Sequence, residues 1–219
     1  MKILVATPDR NSTRGDHRDD FGGAFDPEAR SFIDRHGGER IMVDLSRPDA
    51  ERQRQVIAAI EQHAPECFVW MGHGLSTSIP QLGLNTDAEI AAFTGAIAAG
   101  CSSPIVVFYA CSMGGGPGVG GDGGLCDRVR DSLVKHGARG CRVYGHVGPG
   151  HVTMRPFVRV FDGPEVKPSN VGGHYVVEPA PNGSARRFTA WKIALHGAMR
   201  FDFPFLTPAE IAARLDVTT

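Results

Sequence analysis

The chain lacks the cysteine spacing of a disulfide framework or a structural zinc site. It has five cysteines, an odd number, and no Cys-x-x-Cys pair. Disulfide-rich secreted domains carry paired cysteines, and structural zinc sites are usually built from Cys-x-x-Cys units. His146, His151 and His174 are spread over predicted loops, with no carboxylate at metal-ligand spacing. We therefore expect reduced thiols, no metal and a cytoplasmic location.

Long apolar runs and an excess of either charge are also missing. No apolar stretch approaches the length of a membrane span, and the apolar start of the chain is too short for a signal peptide. The formal net charge is −1, with 21% charged residues, so nothing would neutralise a row of phosphates. We expect no membrane and no nucleic acid among the partners.

Two apolar runs each end in one reactive side chain. Residues 67–71 precede His73 and Gly74, and residues 105–110 precede Cys111. Continuous apolar residues that stop at a turn are typical of parallel strands buried on both faces. Ligands collect at the carboxyl ends of such strands. If the strands are neighbours, an imidazole and a thiol share one edge, which is the minimum for thiolate catalysis.

Strands and helices alternate over the first 147 residues. Predicted strands cover residues 2–6, 40–45, 67–71, 105–110 and 141–144. Predicted helices cover residues 26–36, 46–63, 86–99 and 125–135, with Asp26 as a cap and Thr86–Glu89 as a capping box. Alternation of this kind predicts an α/β fold, a doubly wound and mostly parallel sheet with helices on both faces.

The remainder of the chain is less regular. Residues 152–161 alternate weakly and predict a further strand at an edge, residues 175–177 look extended, and residues 190–199 look helical. A second capping box, Thr207–Glu210, predicts a terminal helix. We assign residues 1–162 to one α/β core and residues 163–219 to an extension of the same domain.

The order His-Gly, helix, Ala-Cys resembles the signature of the caspase-like (clan CD) cysteine peptidases. The matching residues are His73-Gly74 and Ala110-Cys111, with Gly114 three positions later. The resemblance covers about residues 1–147 and implies the caspase-like form of a flavodoxin-like sheet. It also implies a cysteine endopeptidase that acts on a peptide or protein and needs no cofactor.

The resemblance gives the two reactive residues their roles. Cys111 would attack the scissile carbonyl and form a thioester, while His73 would protonate the departing amine. The backbone N–H groups of Gly74 and Cys111 would form an oxyanion hole, and glycine at 74 would let the backbone approach substrate. The alternatives are a buried structural thiol and a turn histidine bonded to backbone. The other cysteines, at positions 67, 101, 126 and 141, are predicted core thiols.

The resemblance also implies a substrate pocket built from the ends of strands one and five and the position two before the cysteine. Here those places hold Asp9 and Arg10, Gly145-His146, and Tyr109. Tyr109 replaces the Asp of members that accept basic residues and the Gln common in caspases, so neither specificity is predicted. Arg10 favours an acidic group and Asp9 a basic one. His146 and His151 are equally consistent with solvated loop histidines.

Two other functions stay open. The scaffold could be a catalytically silent binding or regulatory module. The loop at residues 114–124 also holds a formal Gly-x-Gly-x-x-Gly from Gly116 to Gly121, as a flavodoxin-like nucleotide or flavin protein would. The tight turn, the acidic ribose ligand and a Walker lysine are missing, so the composition favours a flexible loop that rearranges or is cut on activation.

Overall fold

A seven-stranded sheet organises the part of the chain that the computed structural model describes, which is residues 1–9, 25–148, 157–163, 172–177, 191–193, 195, 197 and 204–216. The strands are β1 (Ile3–Pro8), β2 (Glu39–Val43), β3 (Cys67–Met71), β4 (Ile105–Tyr109), β5 (Arg142–His146), β6 (Val158–Asp162) and β7 (His174–Tyr175). The helices are α1 (Asp26–His36), α2 (Asp49–His63), α3 (Asp87–Gly100), α4 (Leu125–Lys135) and α5 (Pro208–Asp216).

The strand order is β2-β1-β3-β4-β5-β6-β7. The first five strands pair in parallel, and β6 and β7 continue the sheet in antiparallel fashion. The order of the parallel part, 2-1-3-4-5, is that of flavodoxin-like doubly wound sheets. The prediction of an α/β fold with a mostly parallel sheet is confirmed.

Both faces of the central strands are covered, and this explains their unbroken apolar sequences. Phe68 and Trp70 of β3 pack in a cluster with residues of α2, α3 and α4. Val69 and Met71 point to the other face and pack in a cluster with α1 and α5. Because alternate residues meet different helices, every position of β3 and β4 is buried.

Several boundaries agree with the sequence and several do not. The bounds of β3 and α4 match the prediction, and the Thr86–Glu89 capping box is present. By contrast, β1 extends to Pro8 and β5 to His146, and α2 starts at 49 rather than 46. Of the strand predicted over residues 152–161, the described part forms β6 from residue 158, and β6 is not an edge, because β7 pairs with it.

The C-terminal part of the chain adds to the same layers where it is described. Residues 191–193 are helical, and the Thr207–Glu210 capping box starts α5, as predicted. Ile211 and Leu215 of α5 lie in the cluster that also contains Phe32 of α1. None of the described helices combines the length and apolar character needed to span a membrane.

Asp26 is not the cap of α1. The N-cap position belongs to Phe25 and carries no side-chain cap bond. The Asp26 carboxylate instead lies 2.5 Å from the guanidinium of Arg40, which also donates to the hydroxyl of Thr7 at 3.0 Å. This bridge ties the start of α1 to β1 and β2, and the Arg40 hydrogen bond holds the pKa of Asp26 below its ordinary value.

Replacing Asp26 with Asn is expected to lower the free energy of unfolding at neutral pH by up to about 1 kcal/mol. A carboxylate with a lowered folded-state pKa stabilises above its unfolded pKa, about 3.9, and this stabilisation is lost as the pH falls below that value. Urea denaturation at pH 7 and pH 3 should show the difference from wild type shrinking at the lower pH. Asp34→Asn, on the exposed face of α1, is the matched control; an equal loss in both variants would contradict the bridge.

Candidate active site

The pairing of β3 with β4 positions the two reactive residues. Each residue of β3 pairs with the residue 38 positions later, from Cys67 with Ile105 to Met71 with Tyr109. The ladder continues past the strand ends, because the N–H of Gly72 donates to the carbonyl of Tyr109 at 3.4 Å. His73 and Cys111 have the same offset, and adjacent strands lie ~4.8 Å apart. The backbone therefore brings both residues to one edge of the sheet.

Alternation also places both residues on the α1 side of the sheet. Met71 and Tyr109, two positions before His73 and Cys111, belong to the cluster that contains α1. The His73 ring lies on this side of the sheet, because it packs edge-on against the ring of Phe25, just before α1, with centroids 5.1 Å apart.

His73 is held through its backbone as well as its ring. Its N–H donates to the side-chain oxygen of Gln81 at 2.9 Å, and its carbonyl accepts from Trp70 Nε1 at 3.2 Å. Gln81 is 3% exposed and lies in a 3₁₀ turn at Pro80–Leu82. An inward-facing amide at this depth fixes where the chain turns after β3.

The Ser, Thr and Pro residues of positions 75–84 predict a surface loop, but the part of this segment around Gln81 is packed. Ile79, Leu82 and Leu84 are each at most 1% exposed. Gln81 went unrecognised as a functional residue, although a single polar residue among these apolar ones was an available signal. A packed turn, rather than a solvated loop, therefore supports His73.

A buried arginine holds this turn from below. Arg52 of α2 is 1% exposed, pairs with Asp49 at 2.6 Å, and donates to the carbonyl of Pro80 at 2.8 Å. A buried charge of this kind is tolerated because both terminal nitrogens of the guanidinium have acceptors. A chain of contacts therefore runs from α2 through the turn to the backbone of His73.

Cys111 differs from the cysteines of the core in its access to solvent. Cys67, Cys126 and Cys141 are buried as predicted, whereas Cys111 is partly exposed. Burial raises the pKa of the Cys67 thiol to about 12 and that of Cys141 to about 11. Cys101 is also partly exposed at the end of α3, so the prediction of a core thiol is wrong there.

A tight turn follows Cys111 immediately. Ser112 has a φ of +58°, a left-handed conformation that non-glycine residues adopt uncommonly. Its N–H donates to the carbonyl of Gly148 at 2.9 Å, and the N–H of Gly114 donates to the carbonyl of His146 at 2.8 Å. The corner at Cys111 is thereby fixed by the chain that follows β5.

Glycine at position 74 is required by packing. A Cβ atom on Gly74 would lie 2.4 Å from the sulfur of Met113 and 3.0 Å from the Cβ of Ala110. Met113 is fully buried. The turn that follows Cys111 is thus a packing reason for glycine here, beside the predicted approach of the backbone to substrate.

The predicted pocket residues are brought together in part. Tyr109 lies between two rings, with centroids 5.9 Å from Phe32 and 5.9 Å from His146. His146 is 7% exposed at the end of β5, so it is not a solvated loop histidine. Asp9 follows β1 at the same sheet edge, and its N–H donates to Val43. Arg10 and His151 lie outside the described residues.

The glycine-rich loop is closely packed rather than flexible as predicted. A Cβ atom on Gly116 would lie 2.3 Å from the carbonyl oxygen of Gly121, and one on Gly124 would lie 2.0 Å from that of Gly115. The N–H groups of Gly118, Gly121, Gly123, Gly124 and Leu125 all donate within the protein. A phosphate needs such N–H groups, so the arrangement does not favour a nucleotide site.

Comparisons of the chain with protein-family models, with curated proteins and with solved structures found no match. Among the described residues, no group of three or more His, Cys, Asp or Glu side chains could hold a metal ion. The chemistry of the site is therefore argued from its geometry.

Gln81→Leu is expected to leave the N–H of His73 buried without its acceptor, which costs about 1–3 kcal/mol of stability. Amide hydrogen exchange at His73 should accelerate, because the turn no longer restrains that bond. Urea denaturation and residue-resolved exchange measure the two effects.

The exposed Gln62→Leu on α2 is the matched control and should change neither quantity. Unchanged exchange at His73 in Gln81→Leu would show that the amide contact does not restrain this residue.

Proposed function

We propose that the chain is a cysteine endopeptidase of the caspase-like class, with Cys111 as the nucleophile and His73 as the general acid and base. The observation that carries the proposal is the register of β3 and β4, because His73 and Cys111 lie two positions beyond its last pair, Met71 and Tyr109, in both strands. A reducing compartment such as the cytoplasm would keep the thiol available.

The reaction would run in two halves. The Cys111 thiolate attacks the scissile carbonyl carbon, a C–S bond forms, and the oxyanion is held by the N–H groups of Gly74 and Cys111. His73 then protonates the departing amine as the C–N bond breaks, leaving a thioester. Water, deprotonated by His73, attacks the thioester, and the C–S bond breaks to release the acid and restore the thiolate.

The surroundings of each group support these roles. The Phe25 ring and the Gln81 amide restrain His73 from two sides, so its position would not depend on substrate. The left-handed Ser112 turns the chain directly after Cys111, and the thiol is left partly exposed. Strained backbone of this kind clusters at functional sites.

The residue before the cut would meet Tyr109 and His146. Their rings contact each other beneath the edge of the sheet where Cys111 lies. Tyr109 presents an aromatic surface and no permanent charge at the position two before the nucleophile. We infer a preference for a neutral side chain before the cut. Asp9, which lies on the far side of β3, is the one carboxylate among the predicted pocket residues.

A peptide-library digest read by mass spectrometry tests the function. Wild type is expected to cleave, Cys111→Ala to abolish cleavage, and His73→Ala to lower the rate by about 10²–10⁴-fold. Iodoacetamide at pH 8 should inactivate the enzyme with its added mass on Cys111. Cys67 and Cys141 should stay unmodified, because their raised pKa values keep the thiols protonated.

Cys101→Ala is the matched control, since Cys101 and Cys111 are the two partly exposed cysteines among those described. Unchanged cleavage by Cys111→Ala would refute the assignment. An absence of cleavage by wild type, together with no labelling of Cys111 by a thiol-reactive peptide, would point instead to a catalytically silent binding module.

A further inference from the structure

A cavity of about 490 Å³ lies on the α1 side of the sheet, at the end opposite His73 and Cys111. Its walls include the first residues of β4 and β5, Ile105 and Arg142. Because these strands are parallel, their first residues lie at the amino edge, about 20 Å along β4 from Cys111. The cavity is therefore separate from the proposed peptidase site, and its size is in the range of small-molecule pockets.

Most of the cavity wall is apolar. Val160 of β6, Val176 and the segment with Phe205 and Leu206 line it, and all four belong to the cluster on this face of the sheet. Such a surface would bury an aliphatic or aromatic body of modest size.

One side of the cavity carries convergent hydrogen-bond donors. Arg142 and Tyr144 alternate on β5, so both point to the cavity, and the guanidinium lies 3.4 Å from the Tyr144 hydroxyl. Within the described part of the chain, the Tyr144 hydroxyl is the hydrogen-bond partner of the Arg142 guanidinium. Burial raises the pKa of Tyr144, so its hydroxyl stays protonated and able to donate at neutral pH.

A carboxylate of the protein lies nearby but is turned to another partner. Asp162 is the cross-strand neighbour of Arg142, yet its carboxylate lies 3.7 Å from Nε2 of His174 and makes no ion pair with Arg142 among the described residues. Arg142 is exposed at the start of β5, so its guanidinium lies at the rim of the mostly apolar cavity, with the neutral Tyr144 hydroxyl as its partner. A guanidinium in this situation gains most from a planar anion, which it binds through two parallel hydrogen bonds.

We propose that this cavity is a second binding site, for a small amphipathic carboxylate. Its carboxylate would lie on Arg142 and Tyr144, and its apolar body would lie against Val160, Phe205 and Leu206. Asp162 opposes the bound charge and limits the affinity. The site is independent of the peptidase assignment.

The proposal is tested by measuring the binding of phenylbutyrate and decanoate to the full chain and comparing each acid with the corresponding alcohol. Methyl chemical shifts of Val160, Val176 and Leu206 locate the ligand and give the affinity. We expect each acid to bind at least about tenfold more tightly than its alcohol, since a charge-assisted hydrogen bond is worth about 1.5–3 kcal/mol. Arg142→Gln should remove that difference, whereas Asp162→Asn should tighten binding of the acids.

Arg54→Gln is the matched control, an exposed arginine on α2 across the sheet, and should bind like wild type. Arg142→Lys keeps the positive charge but cannot donate two parallel hydrogen bonds to a carboxylate, so it should bind the acids with intermediate affinity. Two results would overturn the proposal: no shift of these methyl groups with either acid, or equal binding of acid and alcohol that Arg142→Gln leaves unchanged.

Discussion

The parallel ladder between β3 and β4 is the interaction on which the site depends. Both strands are buried on both faces, so a slip of one residue would send Phe68 and Trp70 toward α1 and Val69 toward α2, α3 and α4. Because protein interiors are closely packed, neither cluster would accommodate the side chains of the other. The core therefore fixes the register, and the register fixes which residues leave β3 and β4 side by side.

Each strand end is then held by a different part of the molecule. After β3, the Arg52–Pro80 contact and the Gln81 amide hold the backbone of His73. After β4, the N–H groups of Ser112 and Gly114 bind carbonyls that follow β5 or end it. Met113 and Gly74 pack directly against each other, which links the two turns. Supports of this kind would hold the proposed catalytic pair in place on a rigid scaffold.

The elements that could be predicted from the sequence are those determined by local pattern. The strand at residues 67–71 follows from an unbroken apolar run, and the Thr86–Glu89 box from a pairing three residues apart. The prediction that His73 and Cys111 lie at one edge follows from two such runs, each ending just before one of them. In an alternating α/β chain these runs form adjacent parallel strands, as β3 and β4 do.

The features that escaped prediction depend on residues far apart in the chain. Asp26 looks like a helix cap, but Arg40 competes for its carboxylate across the turn to β2. The need for glycine at 74 comes from Met113, and no local pattern shows it. The composition of the glycine-rich loop suggests mobility, whereas its backbone atoms approach too closely for side chains. Tertiary contacts of this kind override local preference.

A cross-link between the two strand ends tests the central claim most directly. In a His73→Cys variant, the account predicts that mild oxidation or a short bifunctional alkylating reagent joins position 73 to Cys111 within one folded chain, because adjacent strands bring their Cα atoms within disulfide range. Peptide mapping by mass spectrometry identifies the bridge. A folded variant in which position 73 does not bridge to Cys111, or bridges to Cys101 instead, would contradict the account.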